Sequence, residues 1–352
     1  MRPLRLMAIV AGVAGAGLAA WVALDPDGPV PVEAAAASPL RAELHRRVAM
    51  SAAPARRLAF SADGRLLAAS SVDGSIRVWR VAERGPPRIL NHEGGATSLA
   101  FSRDGGLLVS GGYDGNVRLW RVTDGRPMRT VAGHKGTVWA VDISADGERA
   151  ASGGEDRLVR LWRTLDGALI KTMPGHQLNI WAVRFARDGR TLASSSFDHD
   201  IRLWDGFTGA PLRVLEGHEQ AVVGIDISPD GTTLASGSDD SSVGLWRLSD
   251  GVRTATLRGS NHVYDVAFSA DGRWLASGGR GHGALRTLWH QATGAGGAGP
   301  AVRLWRVADG RPLQSLDHEA DVVSVAFSPD GRWLAAAGED GSLSIWRLHT
   351  RR

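Results

Sequence analysis

The stretch Gly133–Trp162, GHKGTVWAVDISADGERAASGGEDRLVRLW, is followed in the chain by a near copy, Gly175–Trp204, GHQLNIWAVRFARDGRTLASSSFDHDIRLW. Each copy alternates short apolar runs with an Asp-Gly turn, as at Asp146-Gly147. Asp-Gly between apolar runs indicates a tight hairpin, because Gly tolerates the positive φ that such turns require. Each copy is therefore predicted to be a unit of short antiparallel β-strands.

The Trp that closes this unit recurs along the chain. It ends a strand-like run, such as Val-Arg-Leu-Trp, at Trp79, Trp120, Trp162, Trp204, Trp246, Trp305 and Trp346. Successive spacings are 41, 42, 42, 42, 59 and 41 residues. A period of about 40–45 residues with four short strands per unit is typical of propeller blades. The predicted fold class is therefore all-β, a seven-bladed β-propeller with four-stranded antiparallel blades over residues 39–352.

The two ends of the propeller are predicted to meet in one blade. Few residues follow Trp346, so the last unit supplies only three strands. The segment 39–41 (PLR) resembles the segment 211–213 (PLR), which begins an outer strand. Pairing the first strand with the last removes an exposed sheet edge. We therefore expect the missing outer strand to begin near residue 39.

The repeats carry a recognisable set of motifs. Gly-His opens units at Gly133, Gly175 and Gly217, an Asp-Gly turn follows, and an Asp precedes the closing Trp by six residues. With these features the repeats resemble the WD-repeat (WD40) β-propeller family over residues 39–352. The name-giving Trp-Asp pair occurs only at Trp204-Asp205. The resemblance implies a protein that recruits other proteins, with no catalysis and no cofactor.

Four units carry His, Ser, Asp and Trp at matching offsets. These residues are His92, Ser110, Asp114 and Trp120; His134, Ser152, Asp156 and Trp162; His176, Ser194, Asp198 and Trp204; and His218, Ser236, Asp240 and Trp246. Ser, His and Asp also form catalytic triads, but a triad normally occurs once and beside an oxyanion hole. Four copies favour a structural role. The resemblance implies a buried hydrogen-bond chain from Asp through His and Ser to Trp, which leaves no buried polar group unpaired.

The start of the chain differs from the repeats. Arg2 and Arg5 precede an uncharged apolar run over residues 6–24, which is predicted to be an apolar helix of about bilayer-spanning length. Residues 1–24 are therefore predicted to be a signal anchor or a signal peptide, and residues 25–38 a Pro/Ala-rich linker. The basic residues favour a cytoplasmic N-terminus. The propeller is then expected on the periplasmic or extracellular side, anchored in the membrane, or secreted if the segment is cleaved.

Composition narrows the possible chemistry. The chain of 352 residues has a net charge of +4 and no Cys, which excludes disulfides and thiolate metal sites. Basic and acidic residues are interleaved, so no nucleic-acid partner is expected. The sixth unit holds an insertion over residues 280–300, in which Gly294–Gly299 matches GxGxxG but lacks the helix that a dinucleotide site needs. His282 and His290 lack further metal ligands. No metal and no cofactor are predicted.

Partner binding is predicted on one face of the ring. The resemblance implies that partners bind where the loops that open each blade meet the turns between the second and third strands. This pattern assigns partner binding to Trp139, Trp181, Tyr264, Tyr113, Phe197, Arg56, Glu155 and Asp239. Large aromatic side chains are enriched in interface hot spots. The predicted function is a non-catalytic protein–protein interaction scaffold whose partners are unknown.

The alternative is a ligand- or cofactor-binding propeller, or an enzyme, that uses the central channel. Such a protein would need clustered His, Asp or Glu on the innermost strands. Those strands instead carry Leu58 and Leu99, with scattered acids at Asp142, Asp226 and Asp265. The scattered acids favour the scaffold over the enzyme.

Overall fold

The computed structural model describes residues 39–83, 85–258, 262–280 and 300–350. The predicted apolar helix, the segments 1–24 and 25–38, and residues 281–299 of the insertion lie outside these ranges. Within the ranges every regular element is a β-strand. The same ranges contain no helix with the length and apolar character that a bilayer crossing requires.

The described residues form 28 strands in seven four-stranded antiparallel sheets, which confirms the seven-bladed β-propeller. Blade one comprises β2 (Ala55–Phe60), β3 (Leu66–Ser71), β4 (Ser75–Arg80) and β5 (Arg88–Asn91). Blade two comprises β6 (Ala96–Phe101), β7 (Leu107–Gly112), β8 (Asn116–Arg121) and β9 (Pro127–Ala132). Blade three comprises β10 (Val138–Ile143), β11 (Arg149–Gly154), β12 (Val159–Arg163) and β13 (Leu169–Met173). Blade four comprises β14 (Ile180–Phe185), β15 (Thr191–Ser196), β16 (Ile201–Asp205) and β17 (Pro211–Leu215).

The remaining blades follow the same order from the inner to the outer strand. Blade five comprises β18 (Val222–Ile227), β19 (Thr233–Ser238), β20 (Ser242–Arg247) and β21 (Arg253–Arg258). Blade six comprises β22 (Val263–Phe268), β23 (Trp274–Gly279), β24 (Pro300–Arg306) and β25 (Pro312–Asp317). Blade seven comprises β26 (Val322–Phe327), β27 (Trp333–Gly338), β28 (Ser342–Thr350) and, as its outer strand, β1 (Leu40–Ala49).

Strand β1 closes the ring, as the sequence predicts. Its pairing with β28 runs from Leu40 opposite Thr350 to Ala49 opposite Ser342. Leu40 is fully buried in a core cluster that spans blades six and seven. The backbone of Ala42 exchanges two hydrogen bonds with the Gln314 side chain of β25, at 2.9 and 3.0 Å. The closing strand therefore attaches to blade six as well as to blade seven.

The Trp that closes each unit lies between neighbouring blades. Trp204 of blade four packs with Val159 and Leu161 of blade three. Trp79 of blade one packs with Leu343 of blade seven, which continues the ring across the closure. Burying a large aromatic ring at each junction stabilises the contact between sheets that share no backbone hydrogen bonds.

The innermost strands share one irregularity. In β10 the pairing with β11 shifts between Val138 and Ala140, and the other six inner strands show a shift at their start. A bulge of this kind breaks the two-residue alternation of side chains. Trp139 and Asp142, the second and fifth residues of β10, are therefore half-buried, and the other four are buried. We call the ring face that carries the second residues the upper face, and the opposite one the lower face.

Candidate functional site

The His, Ser, Asp and Trp of blade three form a continuous hydrogen-bond chain. Asp156 Oδ1 lies 2.9 Å from His134 Nδ1, and His134 Nε2 lies 2.7 Å from Ser152 Oγ. Trp162 Nε1 donates to the same Ser152 oxygen at 2.8 Å. Blades four and five contain the same chain, with each step between 2.7 and 2.9 Å for the closer carboxylate oxygen. The three Ser side chains are fully buried, so their hydroxyl groups do not face a substrate.

The His ring of blade two has the opposite orientation. His92 Nδ1 lies 2.9 Å from Ser110 Oγ, and Trp120 Nε1 donates to that oxygen at 2.8 Å. His92 Nε2 lies 3.5 Å from Asp114 Oδ1 and 2.5 Å from Arg118 Nη1. Burial and the positive charge of Arg118 lower the pKa of His92 to about 4. Blade two therefore brings its four predicted residues together, with a weaker link to the carboxylate.

In blades two and three an Arg two residues before the Trp joins the chain, and sequence reasoning missed it. Blade five has Gly244 at this position, and in blade four Arg202 lies nearest to Asp200 instead. Arg160 Nη1 donates to Asp156 Oδ2 at 2.6 Å, and Arg118 Nη2 donates to Asp114 Oδ2 at 2.7 Å. Both guanidinium groups are nearly buried. A buried carboxylate needs a charged partner. The recurring Val-Arg-Leu-Trp run was the available signal, because its Arg lies opposite the Ser on the neighbouring strand.

Three blades lack parts of the chain, in agreement with their sequences. In blade one the buried Ala69 takes the position of the Ser, opposite Arg77. Trp305 Nε1 donates to Ser277 Oγ at 2.9 Å in blade six, where no His is aligned. Ala336 replaces the Ser of blade seven, and His318 Nε2 is buried there without a hydrogen-bond partner among the described residues. An unpaired buried group destabilises a fold by about 1–3 kcal/mol. Blades six, seven and one are therefore expected to open before blades two to five.

Four of the predicted partner-binding residues form a continuous aromatic arc on the upper face. Tyr113 meets Trp139 edge to face, with ring centroids 5.5 Å apart. Trp139 and Trp181 stack at 4.6 Å, and Trp181 meets Phe197 edge to face at 5.0 Å. The two Trp residues come from the inner strands of blades three and four, and the other two residues come from turns between second and third strands. The arc thus runs around one side of the channel mouth across blades two to four.

The other predicted residues lie on or near the same mouth. The mouth opens into a cavity of about 260 Å³ lined by Trp139, Trp181, Phe197, Arg56, Asp239 and Tyr264, together with residues below them. Arg56 Nε donates to the Tyr113 hydroxyl at 3.1 Å. Glu155 does not line this cavity; its Oε2 accepts the backbone N–H of Thr137 at 3.0 Å instead.

The side of the mouth opposite the arc is polar. His262 Nδ1 lies 3.0 Å from Asp239 Oδ1. Arg280 donates to the Tyr264 hydroxyl at 3.2 Å and to Asp321 Oδ2 at 3.3 Å. The mouth therefore has an aromatic side on blades two to four and a polar side on blades five to seven. The polar side carries the carboxylates of Asp239, Asp321 and Glu339.

The channel below the mouth holds Arg57 and Arg184, which the sequence did not single out, beside acids that it did. Arg57 Nη1 lies 2.8 Å from Asp265 Oδ1, and Asp265 is fully buried. Arg184 lines both the upper cavity and the cavity at the lower mouth. Leu58 and Leu99 are buried between blades and do not line either cavity. The described residues contain no group of three or more His, Cys, Asp or Glu that could hold a metal ion.

Two channel carboxylates link neighbouring blades. Asp142 Oδ2 accepts the Phe185 N–H at 2.7 Å, and Asp226 Oδ2 accepts the Phe268 N–H at 2.7 Å. Removal from water raises the pKa of both carboxyl groups to about 7, although about a quarter of the Asp226 side chain remains accessible (26%). Each group is therefore partly protonated near neutral pH.

We expect Asp226→Asn to become more stable relative to the unchanged protein as the pH rises from about 4 to about 7. In that range the folded protein keeps a proton on Asp226 that the unfolded chain releases, so the stability of the unchanged protein falls. Asn cannot titrate, and its amide oxygen can still accept the Phe268 N–H. Melting curves at about pH 5 and about pH 8 measure the effect. Asp188→Asn, in an exposed turn, controls for the loss of a negative charge, and equal shifts in both variants would contradict the prediction.

Seven segments of the chain match one family model, and shorter stretches are similar to curated proteins. A family model described as "WD domain, G-beta repeat" matches residues 51–80, 85–121, 125–163, 167–205, 209–247, 251–284 and 310–347. The small ribosomal subunit protein RACK1 of Medicago sativa is 35% identical over 97 residues, which is 27% of this chain and 24% of that protein. RACK1z of Arabidopsis thaliana is 33% identical over 105 residues, 30% of this chain and 26% of that protein.

A fungal protein is similar to a comparable extent. The probable cytosolic iron-sulfur protein assembly protein 1 of Cryptococcus neoformans var. neoformans serotype D is 31% identical over 107 residues, 24% of this chain and 20% of that protein. The chain thus spans about a quarter of the length of the curated relatives that it matches.

Proposed function

The chain belongs to the WD40 repeat family, and from this membership and its upper face we propose that it is a non-catalytic scaffold that binds protein partners. The observation that carries the proposal is the aromatic arc of Tyr113, Trp139, Trp181 and Phe197. Monomeric proteins rarely place several large aromatic side chains side by side at a surface unless a partner covers them. The arc is half-buried and lines one side of a cavity, which gives a partner both area and shape to recognise.

The relatives support an assembly role in general terms. RACK1 is named as a protein of the small ribosomal subunit, so that relative is part of a larger assembly. The proposal takes only the assembly role from it, because the match covers about a quarter of its length. The buried Ser residues of the His-containing chains also favour a scaffold over a hydrolase, since a nucleophile must reach its substrate.

The proposal includes display of the propeller on the outer, periplasmic or extracellular side of a membrane. Its support is the apolar run over residues 6–24 behind Arg2 and Arg5. The entry point of the chain is compatible with such an anchor. Leu40 pairs with Thr350 at the lower end of the outer edge of blade seven, whereas the arc lies on the upper face. A tether that precedes residue 39 would leave the arc open to partners.

We expect the double variant Trp139→Ala/Trp181→Ala to lose its partner. A hot-spot Trp contributes at least about 2 kcal/mol, so loss of one should weaken binding at least about thirtyfold and loss of both should weaken it further. Trp139 Nε1 and Trp181 Nε1 have no hydrogen-bond partner among the described residues, so the substitution breaks no hydrogen bond there and the ring should stay folded. Crosslinking capture from native membranes, followed by mass spectrometry, measures the loss.

A matched control separates the upper face from general surface effects. Leu165 and Leu212 are exposed apolar residues (83% and 56%) at the lower outer edge of blades three and four. Leu165→Ala/Leu212→Ala should capture the same partner as the unchanged protein. The proposed face is wrong if the two double variants recover that partner equally well. The scaffold role itself is wrong if the unchanged protein captures nothing above background.

A further inference from the structure

The floor of the upper cavity is cationic. The stacked rings of Trp139 and Trp181 form one wall of this cavity, and Arg57 and Arg184 line it beneath them. Arg184 is the fifth residue of β14 and therefore lies deeper in the channel than Trp181, the second. It lines the cavity at the lower mouth as well. The Arg184 side chain thus lies in the channel between the two mouths.

The two Arg residues of the floor differ in how their charge is balanced. Arg57 forms an ion pair with the buried Asp265 at 2.8 Å. Arg184 Nη1 donates to the carbonyl oxygen of Val183 at 3.2 Å, and its nearest carboxylate oxygen, Asp226 Oδ1, lies 4.0 Å from its Nε. Among the described residues these are its contacts of hydrogen-bond or ion-pair length. A guanidinium has five N–H donors, so most of those of Arg184 remain open to a ligand.

The nearby carboxylates balance this charge only in part. Asp226 and Asp142 each accept a backbone N–H from the next blade. Burial raises the pKa of both groups to about 7, so each carries a partial charge near neutral pH. Asp239 is paired with His262 on the far side of the mouth, and Glu339 is exposed at the rim of blade seven. The aromatic side of the cavity therefore faces an incompletely compensated guanidinium.

Resting on the proposed function, we propose that the upper cavity binds a carboxylate of the partner protein, held by Arg184 beside the stacked rings of Trp139 and Trp181. The carboxylate is either an Asp or Glu side chain or the end of a chain. Arg56 at the rim, fixed by the Tyr113 hydroxyl, strengthens the attraction on the same side. Asp239 and Glu339 repel a carboxylate and so direct it toward the aromatic arc.

The aromatic walls make the interaction stronger than a surface ion pair. Exposed ion pairs contribute little, because water screens both charges. The stacked indole rings exclude water from one side of the floor and lower the local dielectric there, which strengthens a charge-assisted hydrogen bond. Arg also presents its donors as a planar fork that matches the two oxygens of a carboxylate. The same partner segment can therefore cover the arc and place one acidic group in the channel.

The test uses pools of amidated pentapeptides on the immobilised full-length chain. The pools have random flanks and a central glutamate, glutamine or lysine; a fourth pool has central glutamine and a free C-terminal carboxylate. The unchanged protein should retain the glutamate pool about ten- to a hundredfold better than the glutamine pool. Better retention of the fourth pool than of the glutamate pool would identify a chain end as the source of the carboxylate.

Three variants assign the effect to Arg184. Arg184→Gln should abolish the preference for a carboxylate, and Arg184→Lys, which keeps the charge but not the fork, should retain part of it. Arg103→Gln removes one exposed charge at the lower mouth and should change nothing. Melting curves show whether all three variants are folded. If Arg184→Gln does not fold, Arg184→Lys still tests the role of the guanidinium.

The outcomes against the proposal are equally specific. Equal retention of the glutamate and glutamine pools, at background or above it, overturns the proposal, as does a preference for lysine or an equal effect of Arg103→Gln. Partner capture that depends on Trp139 and Trp181 but is unchanged in Arg184→Gln would retain the scaffold face and reject the carboxylate site.

Discussion

Excision of residues 40–49 should destabilise the propeller by more than about 5 kcal/mol, beyond what single core substitutions usually cause. Without β1, the last sheet ends in β28, whose nine residues would present unpaired backbone groups at an exposed edge. Leu40 and Ala42 would also leave the core between blades six and seven. Exposed edges pair with other chains, so the excised protein should associate as well as melt at a lower temperature.

The contacts that remain explain why the loss should be large. Without β1, blades one and seven are held together by packing of side chains such as Leu58, Trp79 and Leu343. Few polar contacts would remain at that junction: the Leu58 N–H donates to Ser324 Oγ at 3.1 Å, and the Met50 N–H donates to the Gly341 carbonyl oxygen at 2.8 Å. Side-chain packing and these few contacts, with the Arg57–Asp265 ion pair to blade six, then have to keep the whole ring closed.

A peptide of residues 39–49 should restore the excised protein when added in trans. It supplies the same nine backbone pairs and the same buried Leu40. A control peptide with Leu40→Asp and Ala42→Asp should fail, because it would bury two unpaired charges. Scanning calorimetry and light scattering measure stability and association. An excised protein that stays monomeric with an unchanged melting temperature would show that β1 does not close the ring.

We expect Trp162→Ala to lower the free energy of unfolding by about 3–5 kcal/mol. Trp162 is 5% exposed and packs with Val109 and Val117 of blade two. Its ring fits closely against Gly133, where a Cβ would lie 2.4 Å from a ring carbon. That contact explains why Gly precedes His in this unit. Removing the ring leaves a cavity that two rigid sheets cannot fill.

The hydrogen bond of the ring can be separated from its volume. Trp162→Phe keeps most of the apolar contact but removes the N–H that reaches Ser152 Oγ, so its loss should be about 1–3 kcal/mol. Ser152 still has His134 as a partner. Urea unfolding of both variants measures the two losses, and partner capture serves as the control because Trp162 lies away from the upper face. A Phe variant as unstable as the Ala variant would mean that the hydrogen bond, and not packing, dominates.

The blade order was predictable from sequence because its determinants are local and repeated. The spacing of the seven Trp residues reports one junction per blade, and Asp-Gly turns separate the strands. The closing strand was predictable because residues 39–41 repeat the pattern that starts an outer strand at Pro211. The positions of Trp139 and Trp181 at the channel mouth also follow from repeat alignment, since equivalent residues of a repeat occupy equivalent places.

The sequence indicated acids on the innermost strands, but it did not predict which side chains of those strands face the channel, and the bulge of the inner strands is the reason. Strict two-residue alternation from Val138 would place Asp142 on the buried face. The shift after Val138 instead makes the second and fifth residues of β10 the half-buried ones. The same shift places Arg184 in the channel. The ring orientation of His92 and the turn of Glu155 toward Thr137 depend on contacts within single blades. Repeat spacing carries no information about such contacts.

The pairing of Leu40 with Thr350 has a consequence for the order in which the blades are encoded. The two residues are direct partners on neighbouring strands, so a short peptide bridge can join them without disturbing any sheet. The chain can then be reopened at an exposed turn between third and fourth strands, such as Asp124-Gly125. Such a circular permutant retains all seven blades and every junction, with a different blade at its start. The seam in blade seven is thus one of several equivalent places at which this ring can begin.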